Sequence, residues 1–409
     1  MLKKNKFFNF FFLIHGLLIN KLHSVLCNVY LFKMNILIIP DSYKGCMSSQ
    51  EVGIVMKSAV KKVFTAVNCK LLPFSDGGEG ALKVLEKNID GELISCMVTD
   101  ALFRPIEANY FCFKDLTSAW IELSQTAGLN QLDCQEYNPL ITSTWGTGKM
   151  IYEALNKGCN KIYLGLGGSA THDFGTGIIR ALNGRFFDKK NNKLISGGGA
   201  ISQLNRIDLS QIDPRVNNLK FIVACDVKNP LLGKDGAAIT YAKQKGANSQ
   251  MIDQLELAGK QFTKVILNQF GINVGSKMGG GAAGGVGAGL YGLLNAELRN
   301  GFDLLADFTG LREQINEMDL VITGEGYFDN QSLNGKLPFK VAQLTKPKKI
   351  PTLIVAGQTS INNIPDMPHV KIYNTKPEKL TLEKALKNAP QNLETKLYEI
   401  LKQFNTKKI

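Results

Sequence analysis

Acidic, hydroxyl and glycine residues recur in this sequence directly after short apolar runs, and such residue types suit the binding of phosphate. Five sets follow this pattern: Asp41 with Ser42 and Lys44, Asp76 with Glu79, Gly167–Asp173, Asp226 with Asn229, and Glu325 with Asp329. Because ligands of open α/β sheets lie beyond the carboxyl ends of the strands, the five sets could face one site. Each set alone could also be an ordinary turn with an Asp cap.

Phosphoryl transfer would use these residue types in defined roles. Phosphate needs a cation, for which Lys44 and Lys336 are candidates, although either could be a surface lysine. Mg²⁺ needs hard carboxylate oxygens, for which Asp226, Asp76 and Glu325 are candidates. A carboxylate near the acceptor hydroxyl could also take its proton.

The segment Lys161–Gly177, KIYLGLGGSATHDFGTG, concentrates glycine after an apolar run. Ile162–Leu166 predicts a strand and Thr171–Leu182 a helix. Between them the small residues leave the backbone bare, so its N–H groups could surround an anion near the positive end of the helix. His172 could touch a ligand, although a lone histidine is more often a hydrogen-bonded surface group.

A rival interpretation of the same segment is a dinucleotide site. Gly165, Gly167 and Ala170 match the G-x-G-x-x-[GA] pattern, and Asp188 follows at about the distance of a ribose-binding acid. The match lies deep in the chain, however, whereas the dinucleotide fingerprint opens the first βαβ unit of its fold. Both interpretations stay open on the local pattern.

Two familiar kinase motifs do not occur in the sequence. Gly146–Lys149 and Asn334–Leu337 both fail the G-x-x-x-x-G-K-[ST] pattern, and there is no H-R-D catalytic loop. A kinase with this sequence would therefore belong neither to the P-loop enzymes nor to the protein kinases.

The elements that would position these residues alternate between strands and helices. Asn35–Pro40 predicts a buried strand, and Ser48 with Glu51 predicts a capping box at the start of the next helix. Lys70–Phe74 and Ala81–Asn88 repeat the order of strand, loop and helix, which predicts an α/β fold with a parallel sheet. Further strands are expected at Glu92–Val98, Ala108–Phe113, Ala119–Leu123, Arg185–Asp188, Phe221–Cys225, Asp319–Thr323 and Ile350–Ala356, and further helices at Thr144–Asn156, Ser249–Phe270 and Leu382–Phe404.

Composition limits the class of protein. The chain has 409 residues, 44% hydrophobic and 20% charged, which is typical of a globular protein of two or three domains. Of the net charge of +13, residues 1–33 contribute five lysines and no acid. The positive charge of the remaining residues suits an anionic substrate, and no basic block with interleaved aromatics indicates nucleic acid.

Eight scattered cysteines without a CxxC pair argue against a disulfide framework or a zinc site and fit a reducing cytosol.

Residues 1–33 differ from the rest of the chain. Phe7–Asn20 is mostly apolar with lysines on both sides, which is typical of a signal-peptide core and short for a membrane span. We interpret the segment as an upstream extension with Met34 as the true start, which predicts a cytoplasmic protein without membrane contact. An organelle or secretory signal is the alternative.

Eight motifs occur in order along nearly all of Met34–Phe404. They are PDSYKG (Pro40–Gly45), SDGGEG (Ser75–Gly80), LGLGGSATHD (Leu164–Asp173), ACDVKNPLLG (Ala224–Gly233), QKGA (Gln244–Ala247), GGGAAGGVGAGL (Gly279–Leu290), ITGEGYFDNQSLNGKLP (Ile322–Pro338) and VAG (Val355–Gly357). Taken together, these motifs resemble those of the glycerate kinase family, the bacterial type I enzymes that phosphorylate D-glycerate. The sequence departs from the family pattern at His172, where Asn is usual, at Phe174, where Gly is usual, and at Tyr327, where Arg is frequent.

The resemblance implies two α/β domains with the active site in the cleft between them. A Rossmann- or flavodoxin-like domain with a parallel sheet would comprise residues 34–100 and 295–409, and a second α/β domain, residues 101–294, would be inserted into it. The resemblance also implies ATP-dependent phosphorylation of D-glycerate with Mg²⁺, at the 2-hydroxyl in this branch, which gives 2-phosphoglycerate. Glycerate and ATP are then the partners, and a homodimer stays open.

This hypothesis gives the candidate residues their roles. Asp226 would be the acceptor base or a Mg²⁺ ligand, with Asp76 as the second choice, and Ser42 with Lys44 would grip the glycerate carboxylate or the transferring phosphoryl group. The other candidates for substrate and phosphate binding are Glu79, Gly167, Gly168, Ser169, Thr171, Gly281, Gly284, Gly285, Glu325 and Lys336. The alternatives are an NAD(P)-dependent oxidoreductase for a small hydroxy acid and a non-catalytic sensor of the same fold.

Overall fold

The computed structural model describes residues 34–43, 45–75, 78, 80–377 and 380–406. The predictions for residues 1–33 and for Lys44, Asp76 and Glu79 therefore lie outside the described residues. The chain divides into two compact units, one with the residues up to Pro73, Glu313–Asn334 and the residues from Pro338 on, the other with Phe74–Arg312 and Gly335–Leu337. The domain boundaries at residues 100/101 and 294/295 stay a prediction.

The first unit is built on a five-stranded parallel sheet in the order β15-β13-β11-β1-β2. Its strands are β1 (Met34–Pro40), β2 (Val67–Leu71), β11 (Leu320–Gly324), β13 (Thr352–Ala356) and β15 (Val370–Asn374). Strands β11 and β13 are buried throughout, as expected for the centre of a parallel sheet. The parallel sheet confirms the α/β fold class.

Strand β2 differs from its prediction at Lys70–Phe74. It is an edge strand with alternating exposure, so it does not need a continuous apolar run. The apolar residues Leu72 and Phe74 follow the strand and are buried there. The run therefore marked the end of the strand and not its centre.

The second unit is built on a six-stranded mixed sheet in the order β10-β9-β6-β5-β4-β3. Its strands are β3 (Gly91–Thr99), β4 (Pro105–Phe113), β5 (Ser118–Glu122), β6 (Lys161–Gly165), β9 (Lys220–Ala224) and β10 (Glu297–Arg299). Strands β10, β9, β6 and β5 are parallel, so their carboxyl ends meet at one edge of the sheet. Strands β4 and β3 continue the sheet in antiparallel pairs.

Two small sheets and the helices complete the described elements. Strand β7 (Arg185–Phe187) pairs antiparallel with β8 (Arg206–Asp208), and β12 (Tyr327–Phe328) pairs parallel with β14 (Gln358–Thr359). The α-helices are Ser49–Val63, Ala81–Asn88, Ser124–Ala127, Trp145–Asn156, Thr176–Ala181, Ala237–Tyr241, Ser249–Phe270, Ala282–Leu294, Gly301–Thr309, Leu311–Asn316, Leu337–Thr345, Leu382–Lys387 and Ala389–Thr406. Across the ranges that the structure describes, we find no helix whose length and apolar character would let it span a membrane.

Some helix predictions are confirmed and others are wrong. The capping box is present, since Ser48 N–H donates to Glu51 at 2.8 Å and Glu51 N–H donates to the Ser48 hydroxyl at 3.3 Å. The closing helix predicted at Leu382–Phe404 is two helices that break at Asn388. Pro390 explains the break, because proline has no N–H to donate and its ring clashes with the preceding helical turn.

The helix predicted at Thr171–Leu182 begins only at Thr176. Phe174 (φ 58°) and Gly175 (φ 73°) have left-handed backbones, which interrupt a right-handed helix. The N–H groups of Gly175 and Gly177 both donate to the buried Asp173 carboxylate at 3.1 Å. The residues from Thr171 to Gly175 are therefore a loop, and the helix end does not adjoin Gly167–Ser169.

Candidate active site

The loop that follows β6 carries a row of backbone donors. Gly168, with φ 73°, is exposed, and Gly167 is half-buried. The loop is held from one side, where Leu129 N–H donates to the Gly168 carbonyl at 2.9 Å and Ala170 N–H donates to the Ala127 carbonyl at 2.8 Å. Within the described part of the chain, the N–H groups of Gly167, Gly168 and Ser169 meet no acceptor. Three consecutive donors of this kind can bind an anion.

Lys245 lies behind this loop and was not predicted. Its side chain is 2% exposed, and its Nζ donates to Ser169 Oγ at 2.8 Å and to the Thr171 carbonyl at 2.7 Å. Burial lowers the pKa of Lys245 to about 7, although the charge of Asp173 acts in the opposite direction. The motif QKGA pointed to this segment, but nothing in the sequence linked its lysine to a loop about 75 residues away.

Asp173 fixes the far end of the loop. Its carboxylate is buried and accepts bonds from Thr144 N–H at 2.8 Å and from the Thr144 hydroxyl at 2.9 Å, in addition to the N–H groups of Gly175 and Gly177. Burial raises the pKa of Asp173 despite these bonds. So many internal donors indicate that this carboxylate holds the loop and is not a free base.

His172 is a buried, neutral side chain. Burial, together with the charge of Lys245, lowers the pKa of His172 to about 3. Its ring meets Phe174 edge to face with 5.2 Å between centroids, and its Nδ1 has no hydrogen-bond partner among the described residues. The structure therefore does not support the interpretation of His172 as a surface group.

Asp226 and Asn300 form a polar pair at the same edge of the sheet. Asp226 follows β9 and Asn300 follows β10, the parallel neighbour of β9. The Asn300 side-chain N–H donates to Asp226 Oδ1. The Asn300 oxygen in turn accepts Asp303 N–H at 3.0 Å and caps the helix Gly301–Thr309, which orients the amide. Asn300 is a second residue that the sequence did not reveal.

Glu122, the last residue of β5, is a third such residue. It is 2% exposed, and its Oε1 accepts Leu82 N–H at 2.6 Å in the first turn of the helix Ala81–Asn88. A carboxylate at a helix N-terminus is favoured by the positive end of the helix dipole. Glu122 therefore anchors the helix that follows the SDGGEG motif at the carboxyl end of β5.

The second glycine tract packs against the loop after β6. A Cβ on Gly284 (φ 66°) would lie 2.4 Å from the Thr171 carbonyl oxygen and 2.5 Å from His172 Cα. Phe174 N–H donates to the Gly284 carbonyl at 3.1 Å, and Gly281 N–H donates to the Asn229 carbonyl at 3.0 Å. Gly281, Gly284 and Gly285 thus support neighbouring segments, and their phosphate contacts stay a prediction.

In the first unit, Ser42 and Glu325 follow neighbouring strands. Pro40 at the end of β1 is in register with Gly324 at the end of β11, and Asp41 N–H donates to the Gly324 carbonyl at 2.9 Å. Ser42 N–H donates to the Asp41 carboxylate at 2.6 Å, and Glu325 is buried. Lys336 is exposed in the short segment Gly335–Leu337 of the second unit.

The dinucleotide interpretation fails on the surroundings of Asp188. A dinucleotide fold needs the next strand of the chain to lie parallel in the same sheet. Strand β7, which precedes Asp188, instead pairs antiparallel with β8 in a separate sheet. The Asp188 carboxylate accepts the N–H groups of Lys190 and Asn192 at 2.8 Å and closes a turn.

The Asp226 carboxylate is a hard oxygen ligand, which suits Mg²⁺ and not a softer metal. The residues that the structure describes form no group of three or more His, Cys, Asp or Glu side chains that could hold a metal ion. Mg²⁺ commonly uses only one or two carboxylates and takes its other ligands from phosphates and water. The half-buried Asp226 carboxylate, just beyond the end of β9, can supply one such ligand.

Comparison with known proteins identifies the family. The model of the glycerate kinase family matches residues 36–405. The chain belongs to the glycerate kinase family. Its sequence is 37% identical to a glycerate kinase of Bacillus subtilis strain 168, over 88% of this chain and 95% of that protein, and 37% identical to a glycerate 2-kinase of Escherichia coli K12, over 79% and 85%. This glycerate kinase family member is therefore a kinase.

A solved structure agrees with this membership of the glycerate kinase family. The crystal structure from Salmonella typhimurium LT2 that is named as a glycerate kinase 2 superposes with a TM-score of 0.76 at 36% identity. The match covers 92% of this chain and 100% of that chain. The fold of the family therefore extends over both units of the chain.

Proposed function

We propose that this enzyme transfers the γ-phosphoryl group of ATP to the 2-hydroxyl of D-glycerate, in the presence of Mg²⁺, and releases 2-phosphoglycerate. Membership of the glycerate kinase family supports the substrate and the reaction class. One observation carries the proposal. The N–H donors of Gly167–Ser169 follow β6, and Asp226 follows its parallel neighbour β9, so both lie at the same edge of the sheet.

The row of N–H groups would bind phosphate oxygens. Transfer of a phosphoryl group depends on positioning and on stabilisation of negative charge more than on covalent chemistry by the protein. Backbone donors serve this purpose well because the loop holds them in place before the ligand arrives. The bonds from Leu129 N–H to the Gly168 carbonyl and from Ala170 N–H to the Ala127 carbonyl keep the loop in this position.

Asp226 would act on the acceptor side of the reaction. Asn300 holds one carboxylate oxygen, which fixes the orientation of the group. In this orientation Asp226 would accept the proton of the glycerate hydroxyl or bind Mg²⁺, with the Asn300 amide as its support. Bound Mg²⁺ would neutralise phosphate charge. The remaining candidates for contacts with glycerate and phosphate are Lys44, Asp76, Glu79, Ser42, Glu325 and Lys336.

A coupled assay of ADP release tests the proposal. The full chain is supplied with ATP, Mg²⁺ and a panel of hydroxy acids, and the product is identified by phosphorus NMR. We expect ADP release that depends on D-glycerate and a product phosphorylated at C2. Release without glycerate, or a product phosphorylated at C3, would contradict the corresponding part of the proposal. A fluorescence titration with NADH and NADPH should show no binding.

A further inference from the structure

The ammonium group of Lys245 is buried directly behind the proposed phosphate-binding loop. Removing an ammonium group from water costs several kcal/mol unless partners compensate. Lys245 has two such partners, Ser169 Oγ at 2.8 Å and the Thr171 carbonyl at 2.7 Å, and both belong to the loop. Asp173, at the end of the same loop, adds an opposite charge to its surroundings. The lysine thus touches the loop from its inner side at two points.

These two contacts decide which way the loop presents its donors. Because an ammonium group only donates, Ser169 Oγ must accept from Lys245, and the hydroxyl hydrogen of Ser169 remains to donate elsewhere. The Thr171 carbonyl points toward Lys245, so the N–H of the same trans peptide points away from it. The N–H of His172 therefore lies on the face opposite to the lysine, and the Ser169 hydroxyl hydrogen remains available to a ligand.

We infer that Lys245 is a positioning residue for the phosphoryl donor: it holds Ser169 and the Thr171 peptide so that the loop offers O–H and N–H donors to phosphate. This inference rests on the proposed function, in which the loop binds the phosphates of ATP. Lys245 itself does not touch the ligand, because its side chain is 2% exposed.

The buried groups next to Lys245 form a polar environment that a packing role alone does not require. Thr171 Oγ1 and His172 Nδ1 are buried without hydrogen-bond partners in the part of the chain that the structure describes. An aliphatic side chain would fill the volume behind the loop at a lower cost of burial than a lysine. The buried amino group is therefore best explained by its two hydrogen bonds to the loop.

The test compares Lys245→Met with Lys243→Met in the full chain. Lys243 lies in the same turn and is exposed, so it controls for loss of one positive charge. Hydrogen bonds from a charged group contribute about 1.5–3 kcal/mol, so Lys245→Met should raise the KM for ATP at least about tenfold. Calorimetry should show a similar rise in the Kd for adenylyl imidodiphosphate, an ATP analogue that is not hydrolysed. The KM for glycerate should stay within about twofold of the wild-type value. Lys243→Met should resemble the wild type.

A cycle with Ser169→Ala tests whether Lys245 acts through this hydroxyl. If it does, the double variant should bind the ATP analogue only slightly worse than Lys245→Met alone, because the two effects overlap. Circular dichroism and thermal melting establish that each variant is folded, and Lys245→Gln replaces Lys245→Met in every comparison if Lys245→Met fails to fold.

Three results would overturn the inference. They are equal ATP constants in Lys245→Met and Lys243→Met, a change confined to the KM for glycerate, and full additivity of the two substitutions. Failure of the proposed function is a separate result, because then the wild type itself would release no ADP with glycerate, whereas the binding of the ATP analogue would still be measured.

Discussion

The Asn300 side chain donates a hydrogen bond to the carboxylate of Asp226, across the ends of two parallel strands. The backbone supports this pair. The residues that precede Asp226 and Asn300 are hydrogen-bonded to each other, since Cys225 N–H donates to the Arg299 carbonyl at 2.9 Å. Strand pairing and the helix cap at Asn300 therefore set the orientation of the carboxylate before any ligand binds.

Replacement of Asp226 should remove catalysis and spare the fold. We expect Asp226→Asn to lower kcat by at least about 10²-fold, on the scale of general acid–base effects, whether the group is the base or a metal ligand. Asn300→Ala should lower kcat less, since it removes only the support of the carboxylate. Asp253→Asn, at an exposed position of the helix Ser249–Phe270, is the control and should be unchanged. Near-normal turnover of Asp226→Asn would remove this residue from the mechanism.

The sequence predicted the buried central strands well, and it predicted the edge strand and the loops less well. Strands β1, β6, β9 and β11 were found within about two residues of their predictions, because buried parallel strands need continuous apolar runs. The edge strand β2 has no such requirement. The loop at Thr171–Gly175 was missed since its backbone is set by the Asp173 carboxylate, which a local pattern does not show.

Local motifs predicted the strand-end positions of candidate site residues, and they did not reveal the contacts between distant segments. The strand-end positions of Gly167–Ser169 and Asp226 follow from their place after apolar runs. Lys245, Asn300 and Glu122 have partners that lie 76, 74 and 40 residues away in the sequence. Only the three-dimensional arrangement of the strands brings each of these pairs together.

Gly284 should tolerate no side chain, because it packs on the loop. A Cβ there would overlap the Thr171 carbonyl and His172 Cα, both of them backbone atoms that cannot turn aside. Gly284→Ala should therefore shift the loop and lower kcat/KM at least about tenfold, in addition to the strain of about 1–2 kcal/mol for a left-handed residue.

Gly271→Ala is the matched control for Gly284→Ala. Gly271 has a similar φ of 72°, but a Cβ there meets nothing within 4 Å. This variant should show the backbone strain as a lower melting temperature without loss of activity. Equal activity losses in the two variants would contradict the role of Gly284 as a support of the loop.

His172 should make the protein sensitive to acid. Its folded pKa of about 3 lies below the ordinary value of 6.5, so the unfolded chain binds a proton first as the pH falls. The free energy of unfolding should therefore decrease between pH 6.5 and pH 3, by up to about 1.4 kcal/mol per pH unit from this group. His172→Asn should reduce this slope in urea titrations at pH 7, 5.5 and 4.5. An unchanged slope would show that the pKa of His172 is not lowered in the folded protein.

Lys245 should act on stability in the alkaline range. Its folded pKa of about 7 lies below the ordinary 10.5, so between these values the unfolded chain holds a proton that the folded protein has released. Stability should therefore rise from about pH 7 toward pH 10 relative to Lys245→Met, which has no such group. Below pH 7 both states are protonated and the difference should be constant. The charge of Asp173 acts on Lys245, and His172, with a pKa of about 3, stays neutral between pH 7 and pH 10. Denaturation midpoints of the two proteins at pH 7, 8.5 and 10 measure the effect, and parallel curves would place the pKa of Lys245 near that of an ordinary lysine.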